Sequence, residues 1–142
     1  MSTVKQLLDR KGRSVFSVDP EDPVLEAIRL MAERHVGALL VMKGDALQGI
    51  ISERDYARKV ILHGRSSAET PVWQIMSSPV LTVSPSQTLQ DCMRLMTEKR
   101  VRHLPVVSDG RVEGMISIGD LVKAVMEEQQ QTIEQLESYI HR

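Results

Sequence analysis

The chain repeats itself, and this constrains its fold more than any other feature. Shifted by 65 residues, residues 15–62 lie on residues 80–127 without a gap. Val15–Pro20 falls on Val80–Pro85, Arg29–Glu33 on Arg94–Glu98, and Gly49–Asp55 on Gly114–Asp120. Fifteen of the 48 aligned pairs are identical, and most of the others keep their apolar or polar character. A repeat of this period is one supersecondary unit that cannot cover its own apolar face. The 142 residues therefore divide into two half-domains rather than one ordinary domain.

Each copy reads as β-α-β-β-α, an α/β (α+β) fold class. Val15 and Val18, with copies Val80, Leu81 and Val83, predict a short strand ending at a proline. Asp22-Pro23 predicts a helix start with the proline at the first helical position. Val24, Ala27, Ile28 and Met31 follow at helical spacing, and Leu89, Cys92, Met93 and Met96 copy that stripe. Ala38–Met42 and Leu104–Val107 are short apolar runs ended by Gly44-Asp45 and Asp109-Gly110, the pattern of buried strands entering hairpin turns. Leu47–Ile51 and Val112–Ile116 return as partner strands, and Ser52 and Ser117 open the last helix of each copy.

Residues 1–14 form a helical head in which Val4, Leu7 and Leu8 must rest on something, and residues 63–79 form a linker with one helical turn over Val72, Ile75 and Met76. The final helix is expected to continue beyond repeat 2 (residues 80–127) into an extension over 128–142, with Ile133, Leu136 and Ile140 prolonging the apolar stripe of Val122, Val125 and Met126. The head carries a local excess of basic residues and the tail of acidic ones, so the two either meet or stand as solvated faces. The net charge of −1 and only four aromatics argue against nucleic acid as a partner. The single cysteine, Cys92, permits no internal disulfide and fits a buried small hydrophobe. No apolar run approaches a membrane span and the first residues lack a signal-peptide core, so a cytoplasmic location is the expectation.

Each half resembles a CBS domain, the module named after cystathionine β-synthase. The resemblance rests on the β-α-β-β-α order, on Gly-h-h-Ser-x-x-Asp (h apolar) at 49–55 and 114–120, and on Arg-His-Leu-Pro-Val-Val at 102–107. It implies two repeats packed as a pseudo-two-fold pair, with clefts between them that take adenine nucleotides or adenosyl ligands. It implies a homodimer as well, a disc of four repeats. Within the resemblance Asp55 and Asp120 hold a ribose, Ser52 and Ser117 face phosphates, and Val18, Ala38, Leu39, Leu40, Val83, Leu104 and Pro105 grip the base. Arg102 and His103 would reach the phosphates held by the other half.

Read as residues alone, Ser52–Asp55 and Ser117–Asp120 are equally capping patterns at helix starts. A helix N-terminus also offers N–H groups to a phosphate. The halves differ: Arg54 is matched by Gly119 and Arg58 by Lys123, so the first can place two guanidinium groups near an anion. Two non-equivalent sites are expected. The histidines show no metal-ligand spacing, and neither a nucleophile elbow nor a P-loop is present, so neither a catalytic residue nor a metal site is expected. The leading expectation is a non-catalytic sensor of AMP, ADP, ATP, NAD or S-adenosylmethionine that needs no cofactor. The rival is a ligand-independent interaction or dimerisation module acting on an unidentified partner enzyme or transporter.

Overall fold

The computed structural model describes residues 2–140, so Met1, His141 and Arg142 lie outside it. The architecture is mixed α+β, in two compact units: Ser14–Leu81, and the residues up to Arg13 together with those from Thr82 onward. In the first unit a strand β1 (Ser17–Val18) leads to α2 (Val24–Arg34), to the hairpin β2 (Ala38–Lys43) and β3 (Ala46–Ser52), and to a short α3 (Glu53–Asp55). In the second, α1 (Val4–Lys11) joins α4 (Leu89–Lys99), the hairpin β4 (His103–Ser108) and β5 (Arg111–Ser117), and α5 (Ile118–Ile140).

The expected helical stripes form the cores. Val24, Ala27 and Met31 of α2 are buried with Leu39, Val41 and Ile51, while Ile28 packs at the margin. Leu89, Cys92 and Met96 of α4 are buried with Leu104, Val106 and Ile116, with Met93 at the margin. Pro23 stands one position earlier than expected: its ψ of 147° makes it the N-cap of α2, so the missing N–H still costs the helix nothing. Thr88, its copy, caps α4 through a reciprocal box with Asp91. Both helices end on a left-handed residue other than glycine, His35 and Arg100, each at φ 55°.

The hairpins also repeat. Both have two-residue turns, with positive φ at Gly44 in one and at Asp109 and Gly110 in the other. Both shift register at the same place, between Val41 and Met42 and between Val106 and Val107. The leading strand is not equally developed. β1 pairs in parallel with β2, whereas Val80–Val83 makes no strand and contributes one bridge, Val83 to Val106. The last helical segments differ too: residues Tyr56–Ile61 after α3 are π-helical, while the matching stretch is part of the regular α5.

The head and the linker do matching work on different repeats. Thr3 bridges Thr88, and the Val4 N–H bonds the Gln87 carbonyl at 2.9 Å. Pro71 bridges Pro23, and the Val72 N–H bonds the Asp22 carbonyl at 2.8 Å. Val4, Leu7 and Leu8 thereby enter the core of the second repeat, as Val72 and Ile75 enter that of the first. Two glycines admit these segments. A Cβ at Gly114 would lie 2.8 Å from Leu8 Cδ2, and one at Gly49 would lie 2.6 Å from Met76 Sδ. The basic head also meets the start of the acidic tail, with Arg10 3.8 Å from Glu127.

Candidate functional site

Both Ser-x-x-Asp motifs sit where a β-hairpin returns into a helix. The strand delivers the serine with extended backbone (φ −124°, ψ 165° at Ser52), which is the geometry an N-cap needs. The Asp55 N–H donates to Ser52 Oγ at 3.1 Å, and Asp55 Oδ2 accepts from the Ser52 N–H at 2.9 Å. In the second repeat the Asp120 N–H donates to Ser117 Oγ at 3.1 Å, and Asp120 Oδ2 accepts from the Ser117 N–H at 2.8 Å. The capping reading therefore holds in both halves. It coexists with a ligand role because each carboxylate keeps a second oxygen and lone pairs outside the box.

The helix starts offer fewer N–H groups than the sequence suggests. The Glu53 N–H is bonded to the Gly37 carbonyl at 3.0 Å, and the Ile118 N–H to the Arg102 carbonyl at 2.9 Å. With the third N–H of each turn taken by the serine, the donor facing an anion reduces to the backbone of Arg54 or of Gly119. Guanidinium groups would have to supply the rest at the first junction, because the Ser52 hydroxyl itself donates to Asp55 Oδ2 at 3.0 Å.

Each carboxylate also carries one lysine that the motif does not contain. Lys59, one turn beyond Asp55, places Nζ 3.2 Å from Asp55 Oδ1 and donates to the Ile75 carbonyl at 2.9 Å. Its copy in the repeat is Ala124. The second repeat is served from the head instead: Lys11 Nζ lies 2.6 Å from Asp120 Oδ2 and 2.7 Å from the Met115 carbonyl. Burial pushes the Asp120 carboxyl up, but the Lys11 ammonium and the Ser117 hydrogen bonds outweigh it, and its pKa lies below the usual carboxylate value. The i,i+4 spacing could have revealed Lys59. No local pattern could have revealed Lys11, which stands 109 residues from its partner.

Arg54 and Arg58 are exposed and make no ion pair among the described residues. Arg102 is exposed, and His103 is half-buried at the start of β4, directly opposite Ser117. Burial lowers the His103 pKa, opposed by Asp120 and aided by Lys11 and Arg102. The structure thus brings His103, Ser117 and Asp120 of the second repeat together with Lys11 of the head, within one compact unit. Val18, Leu39, Val83 and Leu104 are core residues, and Ala38, Leu40 and Pro105 are also buried. Backbone groups among them are engaged: Leu40 N–H with the Phe16 carbonyl at 3.1 Å, and Val83 N–H with the Pro105 carbonyl at 3.0 Å. Among the described residues no group of three or more His, Cys, Asp or Glu could hold a metal, and no helix is long and apolar enough to cross a membrane.

Comparison with known proteins agrees with this layout. The family model for the CBS domain matches residues 4–62 and 72–127. The chain is 40% identical to the mitochondrial CBS domain-containing protein CBSX3 of Arabidopsis thaliana, over 98% of this chain and 72% of that protein. A signal-transduction protein with CBS domains from Burkholderia ambifaria superposes with a TM-score of 0.88 at 53% identity, covering 90% of this chain and 96% of the other. The CBS domain pair of protein MJ0100, solved with 5′-methylthioadenosine and S-adenosyl-L-methionine, shares the fold with a TM-score of 0.80 at 20% identity, covering 90% of this chain and 98% of the other.

Proposed function

The chain belongs to the CBS-domain family, and from that premise we propose that this regulatory module is non-catalytic and binds an adenine nucleotide or related adenosyl ligand at its two strand–helix junctions. One observation carries the reading. At the first junction, two exposed arginines without ion-pair partners among the described residues, Arg54 and Arg58, stand on the same segment as a serine and a carboxylate already fixed in place. A structural cap needs the serine and the acid but neither guanidinium. The pre-set carboxylate suits ribose hydroxyls, and the guanidinium groups suit phosphates. Both carboxylates carry a lysine, so the difference lies in the guanidinium groups: the second junction has Gly119 in place of Arg54 and Lys123 in place of Arg58. We therefore assign phosphate-bearing ligands such as AMP, ADP, ATP or NAD to the first junction, and a less charged adenosyl group to the second. The ligands of the MJ0100 pair are of that second kind.

Signalling would follow from differential affinity for two packing states, since a ligand shifts only an equilibrium it distinguishes. Calorimetry with AMP, ADP, ATP, NAD and S-adenosylmethionine tests the reading. Binding of at least one is expected, with Arg54→Ala weakening the phosphate-bearing ligands about ten-fold, the loss of one charged hydrogen bond. Absence of heat with all five at millimolar concentration would sink it. We also propose a cytoplasmic location, which imaging of a tagged chain would check.

A second reading, a ligand-independent interaction module, is favoured by a different observation. Met126, Leu136 and Ile140 of α5 are 62%, 58% and 73% exposed. Under that reading α5 does the work, and ligands leave the thermal midpoint unmoved.

A further inference from the structure

The two junctions hold their carboxylates differently, and the difference lies in which oxygen the lysine takes. At the first, Asp55 Oδ2 accepts from both the N–H and the hydroxyl of Ser52, at 2.9 and 3.0 Å, while Lys59 Nζ sits 3.2 Å from Oδ1. Both oxygens are engaged. At the second, the Ser117 N–H and the Lys11 ammonium meet on one oxygen, Asp120 Oδ2, at 2.8 and 2.6 Å. Asp120 Oδ1 has no partner among the described residues. The Lys11 ammonium has three N–H groups, and two are used, on Asp120 and on the Met115 carbonyl. A free acceptor and a free donor thus belong to one ion pair, whose side chains are 31% and 27% exposed. The neighbouring position is open as well: a Cβ on Gly119 would meet only the Ser117 hydroxyl, at 3.6 Å.

We propose that Lys11 is a specificity-determining residue of the second junction: with Asp120 it forms a donor–acceptor pair for the vicinal diol of an adenosyl ligand, and occupancy of this pair holds down the end of the head. The proposal rests on the adenosyl reading above. One hydroxyl donates to Asp120 Oδ1, and the other accepts the third Lys11 N–H. No existing bond breaks, so ligand and head reinforce each other rather than compete. The first junction differs, because Lys59 already takes the oxygen outside the box and belongs to its own repeat. The head itself is held in two ways. Val4, Leu7 and Leu8 are buried in the core of the second repeat. The end of α1 is held by charge, with Arg10 3.8 Å from Glu127, Lys11 2.6 Å from Asp120 and Arg13 3.6 Å from Glu113. Exposed pairs of this kind are individually weak. A ligand that adds a bond to Lys11 therefore acts on this end and leaves the buried one unchanged. Lys11 stands just before Ser14, where the other compact unit begins. The ligand would thus tether the point at which the chain leaves one unit for the other.

Calorimetry on the full chain carrying Asp55→Asn, which silences the carboxylate of the first junction, tests the proposal with adenosine, 2′-deoxyadenosine and 3′-deoxyadenosine. Adenosine is expected to bind, and Lys11→Met to weaken it about ten-fold, the loss of one charged hydrogen bond. One deoxy analogue lacks the hydroxyl that Lys11 holds. It should bind the parent about ten-fold more weakly than adenosine and lose nothing further with Lys11→Met, because both changes remove the same bond. Adenosine should also slow amide exchange at Gly12, whose N–H bonds the Leu8 carbonyl at 2.8 Å, in the parent but not in Lys11→Met. Unchanged or tighter adenosine binding by Lys11→Met would overturn the proposal and leave the adenosyl reading standing. So would an equal loss for adenosine and both analogues, the mark of a merely structural lysine, or a Gly12 left unprotected in the bound parent, a measurement that needs no change at position 11. Adenosine binding by the natural chain but not by Asp55→Asn would place the diol at the first junction and overturn this proposal alone. No adenosine binding by either chain overturns it too, and the adenosyl reading falls with it only if the five ligands named above are also silent. Circular dichroism confirms that Lys11→Met stays folded.

Discussion

Replacing Lys11 by methionine keeps the aliphatic stem and removes the ammonium that joins the head to Asp120. Two hydrogen bonds go with it, 2.6 Å to the carboxylate and 2.7 Å to the Met115 carbonyl. A fully exposed pair would contribute about 0–1 kcal/mol, and hydrogen bonds to charged groups contribute about 1.5–3 kcal/mol. The Lys11 and Asp120 side chains are 31% and 27% exposed, between those cases, so the expected loss is about 1.5–2 kcal/mol. For a chain of this length that lowers the thermal midpoint by about 5–8 °C. The effect should shrink in 1 M salt, where screening reaches about 3 Å. Its pH dependence has a definite sign. Asp120 has a depressed pKa in the fold, so the pair's stabilisation is fully present above the unfolded value of about 4 and is lost as pH falls through the folded value. The gap between the two proteins should be constant from about pH 8 to 5 and close below about pH 4. A double-mutant cycle with Asp120→Asn, which keeps an acceptor for the Ser117 N–H, isolates the pair. A coupling below about 0.3 kcal/mol, within the scatter of non-interacting sites, would refute the reasoning.

Other expectations follow from the same contacts. Gly114→Ala forces its Cβ to 2.8 Å from Leu8 and should cost about 1–2 kcal/mol in thermal or urea unfolding. Gly49→Ala should cost more, because the Ser77 carbonyl oxygen, 3.0 Å from its Cβ, is backbone and cannot swing aside. Cys92 is buried, and burial with the nearby Asp91 raises its pKa to about 11. It should resist thiol reagents at pH 8 until the protein unfolds, and rapid labelling of the native state would contradict this placement. Burial lowers the His103 pKa, so the folded state binds its proton less readily than the unfolded state. Stability attributable to it should be complete above pH ~6.5 and decline as pH falls below that value, and His103→Gln should flatten the decline.

What the sequence reveals here is mostly what is local. The capping boxes at Ser52 and Ser117 span three residues, and the stripes on α2 and α4 span two turns, so the physics that makes them is written within a short window. Pro23 shows the limit of boundary reading: a proline suits N1 and the N-cap alike, and only the observed ψ separates them. Val80–Val83 has the composition of its copy but makes only one bridge, because a strand depends on its neighbour's edge as much as on its own residues. The Lys11–Asp120 pair lies beyond any periodicity. Arg54 and Arg58 are legible as an asymmetry between the halves, but their lack of ion-pair partners among the described residues is not.

The crossing of head and linker onto different repeats has a consequence for synthesis. A nascent chain emerges in order, so the Ser14–Leu81 unit, with its own docking turn at Val72–Ile75, can close while the rest is still being made. The head has no such neighbour at hand. Val4, Leu7 and Leu8 find their core only once β5 has left the ribosome, about a hundred residues later. Until then the head keeps its apolar face uncovered. Its closure is a long-range step late in folding.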